Sequence, residues 1–167
     1  NALAALLAVT SAGVGFQASL DGLATFRGVK RRMELLGDFG GVRLYDDFAH
    51  HPTAIERSLE GMKQFNAGRV LAVLEPRSNT MKMGAHADQL SAAIAPADKC
   101  WVMQPDGMSW SLSDVLDASH SVKVMSSADA IVASVVEAAK PGDAIVIMSN
   151  GSFDGIYGKF RSALSAA

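Results

Sequence analysis

The fold class this sequence predicts is an α/β domain with a mostly parallel sheet flanked by helices. Three observations predict it. Two runs, Val70-Leu71-Ala72-Val73-Leu74 and Ala144-Ile145-Val146-Ile147-Met148, are apolar at every position, as strands buried on both faces are. Around them lie segments whose apolar residues recur at helical spacing. Glycine and proline punctuate the changeovers.

Taken in order, residues 1–13 read as an Ala/Leu helix closed by Gly13, and 16–26 as a second short helix from Phe16 to Phe26. Gly28-Val29-Lys30-Arg31-Arg32 is a polar link, which divides the chain into an expected helical stub (1–28) and a second domain (29–167). Arg32–Phe39 and Val42–Asp47 read as a hairpin turning at Gly40-Gly41. Pro52–Phe65 carries Ile55, Leu59 and Met62 at helical spacing, with Pro52 near the start, where its missing N–H does no harm. A strand over Arg69–Leu74, a helix over 84–95 and strands over Asp98–Met103 and Val122–Met125 follow. Ala128, Ile131, Val132, Val135, Val136 and Ala139 form one helix face, and Pro141-Gly142-Asp143 turns into the strand Ala144–Met148. The last helix presents Phe153, Ile156, Tyr157, Phe160 and Leu164 on one stripe. Strands alternating with helices after a helical stub make a Rossmann-like domain.

The chain has 167 residues, 49% of them hydrophobic, with a mean hydropathy of +0.18. A real core can form, and disorder is not expected. Net charge is -2, and the 15 basic residues are scattered apart from Lys30-Arg31-Arg32, which argues against nucleic acid or a membrane surface as a partner. No apolar run approaches transmembrane length. The lone cysteine, Cys100, lies in the apolar Lys99–Met103 stretch. It excludes an internal disulfide, fits a reducing cytoplasm and reads as a buried thiol rather than a nucleophile. Asn1 runs straight into a helix with no initiator Met, which reads as a chain starting partway through a longer protein. Oligomeric state leaves no trace in the sequence.

Polar chemistry concentrates at three strand ends. Tyr45-Asp46-Asp47-Phe48-Ala49-His50-His51-Pro52 packs two carboxylates and two imidazoles between a strand and a helix, where ligands bind in α/β folds. Adjacent histidines on extended backbone point opposite ways and no third ligand lies at the usual spacing, so no metal site is expected. A structural histidine and a substrate or nucleotide contact both remain open for His50. Asp46 and Asp47 alternate likewise and are no acid/base pair. Either suits the cap of the following helix, and Asp47 equally suits ligand hydroxyls. Arg77, Ser78, Asn79 and Thr80 form a carboxylate- or phosphate-binding loop or an ordinary polar one. Ser149-Asn150-Gly151-Ser152 precedes the last helix, where N–H groups favour anions and glycines serve tight turns equally well. All three loops follow strands and should open on one edge. Arg32, at the boundary, is either solvated or a phosphate clamp that acts on closure.

Tyr45-Asp46-Asp47-Phe48-Ala49-His50-His51-Pro52-Thr53 resembles the Asp-Asp-Tyr-Gly-His-His-Pro signature of the Mur ligases, ATP-dependent enzymes that build the peptidoglycan peptide. Asn1-Ala2-Leu3-Ala4-Ala5 is similar to the end of the His-Asn-x-x-Asn-Ala-Leu-Ala-Ala helix in their central, ATP-binding domain. Phe26-Arg27-Gly28-Val29-Lys30-Arg31-Arg32-Met33-Glu34 is similar to the Phe-x-Gly-Val-x-x-Arg-x-Glu segment leading into their C-terminal domain. The motifs keep the family order and spacing, and the resemblance covers essentially the whole chain. It implies a Rossmann-like C-terminal Mur ligase domain preceded by a stub of the ATP-binding domain.

The Glu75–Gly84 loop separates the branches. The L-alanine-adding branch carries Gln-Pro-His-Arg-Tyr-Thr-Arg, whereas this chain keeps Pro76 and Thr80 but has Arg77, Ser78, Asn79 and Met81. With Met148-Ser149-Asn150-Gly151, that loop is similar to the recycling branch, which joins L-alanyl-γ-D-glutamyl-meso-diaminopimelate to UDP-N-acetylmuramate. The implied chemistry is phosphorylation of the muramoyl carboxylate by ATP, then attack of the tripeptide amine on the acyl phosphate. The resemblance gives Asn1 to adenine, Asp47 to the ribose and Arg32 to the phosphates. His50, Arg77, Ser78, Asn79 and Thr80 would face the peptide, with Ser149 and Asn150 nearby; Arg32 and His50 are the catalytic candidates. The sequence holds no G-x-x-x-x-G-K-[ST] loop. Magnesium ligands are expected upstream, and the chain alone is expected to be inactive. Two alternatives are a fragment of the L-alanine-adding ligase and a non-catalytic muropeptide-binding module.

Overall fold

The computed structural model describes residues 1–77, 83, 87–108, 110–116 and 122–166. In chain order the elements are α1 (Ala2–Ser11), α2 (Phe16–Thr25), β1 (Glu34–Phe39), β2 (Val42–Asp47), α3 (Pro52–Phe65) and β3 (Val70–Leu74). Then come α4 (Ala87–Ile94), β4 (Lys99–Met103), β5 (Val122–Met125), α5 (Ala128–Ala138), β6 (Ala144–Met148) and α6 (Ile156–Ala166). Short 3₁₀ turns span Leu112–Asp114 and Phe153–Gly155.

Among the described residues the strands form one six-stranded sheet in the order β1-β2-β6-β3-β4-β5. β1 pairs antiparallel with β2, and every other pairing is parallel. A parallel neighbour requires a crossover, and the crossovers cover both faces. On one face α3 and α4 bring Ile55, Leu59, Met62, Leu90 and Ile94 onto Ala72, Leu74, Val146 and Met148. On the other, α5 and α6 bring Ile131, Val135, Ile156 and Phe160 onto Leu71, Val73, Ile145 and Ile147. β3 and β6 are therefore buried at all positions, which is why their sequences are continuously apolar instead of alternating.

The amino-terminal edge of the sheet is tied by polar groups. Arg69 grips Asp143 with Nε at 3.0 Å and Nη2 at 2.5 Å, and donates again to the Ala138 carbonyl at 2.9 Å. Arg43 donates to the Asn66 side-chain oxygen alongside. Gly68 passes so close to the Gly142 carbonyl that a Cβ has no room. Charged groups thus hold the strand starts together.

Boundaries depart from the sequence reading by one or two residues at several elements, α1, α2, β3 and β4 among them. β1 starts at Glu34, not Arg32, because Arg31 (φ 57) and Met33 (φ 49) are left-handed and break the extended run. The last helix starts at Ile156: Phe153 (φ 47), Asp154 (φ 48) and Gly155 (φ 67) form a left-handed turn, from which Phe153 still reaches the core. The helix expected over 84–95 is seen at Ala87–Ile94, and residues 84–86 lie outside the described residues. α1 has no buried residue and α2 only Ser19.

One surface tie gives a pH signature. Asp98 accepts from Lys63 Nζ at 2.6 Å on both oxygens and from the Val70 N–H at 2.7 Å. Burial alone would raise its carboxyl, but the Lys63 and Val70 hydrogen bonds and the charges of Lys63 and Arg69 outweigh it and hold it below the usual range. A carboxyl lowered by folding contributes stability that is complete above its unfolded value, near 4, and lost as pH falls through the folded value. Asp98→Asn should cost about 1 kcal/mol at pH 7 and flatten the decline of the urea midpoint below about pH 4.

Candidate functional site

β2, β6 and β3 are neighbours and parallel, so the chain leaves all three at the same carboxyl edge. The described residues at the ends of these strands meet there. Their backbones are joined directly: the Ser149 N–H donates to the Asp47 carbonyl at 3.2 Å, and the Glu75 N–H to the Met148 carbonyl at 3.0 Å. The fully buried Ser149 hydroxyl donates to Glu75 Oε2 at 2.6 Å and accepts from the Gly151 N–H at 2.9 Å. Glu75 is itself buried, and a carboxylate removed from water requires such donors. On the outer side the exposed Arg77 lies across Gly151: a Cβ there would meet its Nη1 at 2.8 Å and its Cδ at 3.0 Å. The glycine leaves the guanidinium its place.

Arg31 closes this edge from below. Its Nη2 donates to the carbonyls of Ser149 (2.6 Å) and Gly151 (3.1 Å) and to the Tyr157 hydroxyl (3.0 Å). Its Nε stands 3.3 Å from Asp46 Oδ2, and its guanidinium lies over the Phe48 ring at 5.2 Å. A left-handed arginine costs on the order of 1–2 kcal/mol, and charged hydrogen bonds of about 1.5–3 kcal/mol each hold it there. Burial pushes the Asp46 carboxyl above its usual range, while the Arg31 charge pulls it back. Burial, aided by the Asp46 charge, pushes the Tyr157 phenol up to about 12, so it stays neutral at any physiological pH.

The residues singled out from sequence fall as follows. Arg32 is exposed, with its guanidinium 5.6 Å from the Phe48 ring centre. His50 Nδ1 lies 2.8 Å from the Phe48 carbonyl. A carbonyl only accepts, so Nδ1 carries the proton and Nε2 keeps a lone pair in the neutral ring. Asp47 turns inward: its Oδ2 accepts from the Met33 N–H (2.8 Å), and its Oδ1 from the Ala49 N–H (2.7 Å) and Ser58 hydroxyl (3.3 Å). The capping reading of Asp46 and Asp47 does not hold. Both carboxylates are engaged elsewhere, and His51 occupies the cap position of α3 without a side-chain cap bond, followed by Pro52. Asn150 is half-buried, and its Oδ1 is buried with no hydrogen-bond partner. Asn1 stands exposed at the head of α1. Ser78, Asn79 and Thr80 lie outside the described residues. Among the described residues no three His, Cys, Asp or Glu side chains gather as metal ligands.

Sequence reasoning missed Arg31, Glu75 and Tyr157. Within Lys30-Arg31-Arg32 nothing distinguishes the arginine that turns inward, and Tyr157 reads as one more apolar residue of the α6 stripe. Glu75 gave the only usable signal, a carboxylate directly after five buried residues. The assembled edge carries exposed guanidiniums above buried carboxylates and suits an anionic ligand, whether carboxylate or phosphate. Cys100 is fully buried and its thiol is pushed up to about 12 by that burial. At pH 8 it should react with a thiol-specific disulfide reagent at least ~10²-fold more slowly in the native protein than in urea.

Residues 31–151 match the family described as "Mur ligase, glutamate ligase domain". The UDP-N-acetylmuramate--L-alanyl-gamma-D-glutamyl-meso-2,6-diaminoheptandioate ligase of Haemophilus influenzae is 41% identical over 169 positions, covering 98% of this chain and 37% of that protein. The UDP-N-acetylmuramate--L-alanine ligase of Mycolicibacterium vanbaalenii is 38% identical over 164 positions, covering 90% and 34%. The crystal structure of a murein peptide ligase from Psychrobacter arcticus aligns with a TM-score of 0.76 at 44% identity, covering 99% of this chain and 36% of that one. The chain thus spans little more than a third of the length of the relatives it matches.

Proposed function

This chain belongs to the Mur ligase family, and from that membership we propose that it supplies the C-terminal part of an ATP-dependent ligase joining L-alanyl-γ-D-glutamyl-meso-diaminopimelate to UDP-N-acetylmuramate. Such an enzyme works in the cytoplasm on recycled peptidoglycan and so serves cell-wall biogenesis, cell shape and division. The observation that carries the reading is the Glu75–Arg77 loop braced on Ser149 and Gly151. It departs from the L-alanine-adding pattern and presents a guanidinium, which a tripeptide rich in carboxylates can pair with. The Haemophilus influenzae relative bears this same pair of substrates in its name.

In this reading a muramoyl carboxylate oxygen attacks the γ-phosphorus of ATP and ADP leaves. The tripeptide amine then attacks the acyl carbon, phosphate leaves, and the amine proton passes to a base. His50 Nε2 is the candidate base, since Nδ1 is already committed to the Phe48 carbonyl. Arg32 would balance phosphate charge. Arg77, Ser78, Asn79 and Thr80, with Ser149 and Asn150, would face the peptide. Asn1 would contact adenine and Asp47 the ribose, which requires the surroundings of the buried Asp47 carboxylate to open. The described residues do not fit a magnesium site, so no step is assigned to that ion here. Residues 1–28 would close the ATP-binding domain and 29–167 form the next. Without a P-loop the chain alone should bind ATP weakly and make no product.

The L-alanine-adding ligase is the second reading, favoured by the similarity to the Mycolicibacterium vanbaalenii protein. Offered both acceptors, the full-length enzyme should show a kcat/KM for tripeptide at least ~10²-fold above that for L-alanine; a preference for L-alanine would reverse the assignment. Arg32→Ala in that enzyme should lower kcat by roughly 10²–10³, read in a phosphate-release assay.

A further inference from the structure

Arg31 has more partners than any ordinary linker residue. Its backbone N–H donates to Glu34 Oε2 at 2.8 Å, and its carbonyl accepts from the Phe48 N–H at 2.8 Å. Its guanidinium meets β2 through Asp46, the β2–α3 junction through Phe48, the β6 loop through two carbonyls, and α6 through Tyr157. The residue is only partly exposed, at 26% for its side chain. It precedes Arg32 directly, so fixing the backbone of one sets the direction of the other. One of the carbonyls it holds belongs to Gly151, whose Cα lies under the Arg77 guanidinium. A continuous line of contacts therefore runs from the linker through Arg31 and Gly151 to Arg77.

We propose that Arg31 is a positioning residue that locks the Ser149–Gly151 loop to the linker, and so sets Arg32 and Arg77 relative to each other at the carboxyl edge. The lock explains three otherwise separate facts. Arg31 keeps a left-handed φ of 57 that a non-glycine residue rarely adopts. Ser149, whose side chain is tied to Glu75, also has its carbonyl capped by a cation. Gly151 has its N–H, its carbonyl and its Cα face all in contact with partners. Such a residue acts on chemistry only through geometry. A displacement of about 1 Å at a reacting centre lowers rates by as much as 10²-fold, and that is the scale of effect expected.

The proposal rests on the ligase reading only for its activity arm. Lysine keeps the charge of Arg31 but has a single ammonium, which cannot meet the Ser149 and Gly151 carbonyls and the Tyr157 hydroxyl and also stand beside Asp46, as Nη2 and Nε of the guanidinium do together. In the full-length enzyme, Arg31→Lys should lower kcat roughly 10–100-fold and leave the KM for ATP within about threefold. Its melting temperature should fall by no more than about 10 °C, so that the variant stays folded at the assay temperature, and amide exchange across residues 149–152 should speed at least about tenfold. Tyr157→Phe, which removes one acceptor and keeps the rest, should give a smaller loss of kcat in the same direction. Two results would overturn the lock: exchange at 149–152 unchanged in Arg31→Lys, or a kcat loss no larger than the loss of folded protein. If the parent turns over neither tripeptide nor L-alanine, the functional reading has failed, and the exchange arm still decides the role of Arg31.

Discussion

The carboxyl edge exists because β6 lies between β2 and β3 and hydrogen-bonds to both. That single insertion brings together loops that are far apart in sequence, since the residues after Asp47, Leu74 and Met148 become neighbours. It also dictates composition. A strand with a strand on either side and helices on both faces has no solvent-facing position, so β6 carries no polar side chain. Polar groups return at once where the strand ends, and Ser149 is the first of them.

What happens at that edge is an exchange of solvent for internal partners. Glu75, Asp46 and Asp47 are carboxylates withdrawn from water, and each is met by fixed donors or a cation: Ser149, Arg31, or the backbone of the linker and junction. Their role in the fold is to fasten the loops, which leaves Arg32, Arg77 and His50 on the outer side as groups able to meet a ligand. Arg32 and Arg77 stay exposed at that edge, a surface suited to an anionic ligand.

Much of this was legible in the residues. The unbroken apolar runs of β3 and β6 marked doubly covered strands, as parallel strands are, and from that followed the expectation that the loops after them open on one edge. The family signature around Asp47–Pro52 was readable because it is dense and contiguous. What stayed hidden was the order of strands, since nothing local tells Ala144–Met148 which neighbours it will have. The left-handed residues Arg31, Met33, Phe153 and Asp154 were hidden as well. Only glycine advertises that conformation in a sequence, and here tertiary contacts impose it on other residues. For the same reason the inward turn of Asp47 and the choice of Arg31 over Arg32 could not be read. Each depends on atoms a hundred residues away or on a linker geometry without a local signature.

The central place of β6 also has a bearing on how the chain folds. β1 and β2 pair through a local turn, and β3, β4 and β5 are neighbours in sequence order, but the two groups share no strand pairing except through residues 144–148. Without that strand β2 and β3 each present an open edge of unpaired amides beside apolar surface, the condition that invites pairing with a second chain. Closing the sheet thus depends on long-range pairings, which carry a larger loop-closure entropy than the local hairpin. During synthesis the half-built sheet would be the species most dependent on chaperones.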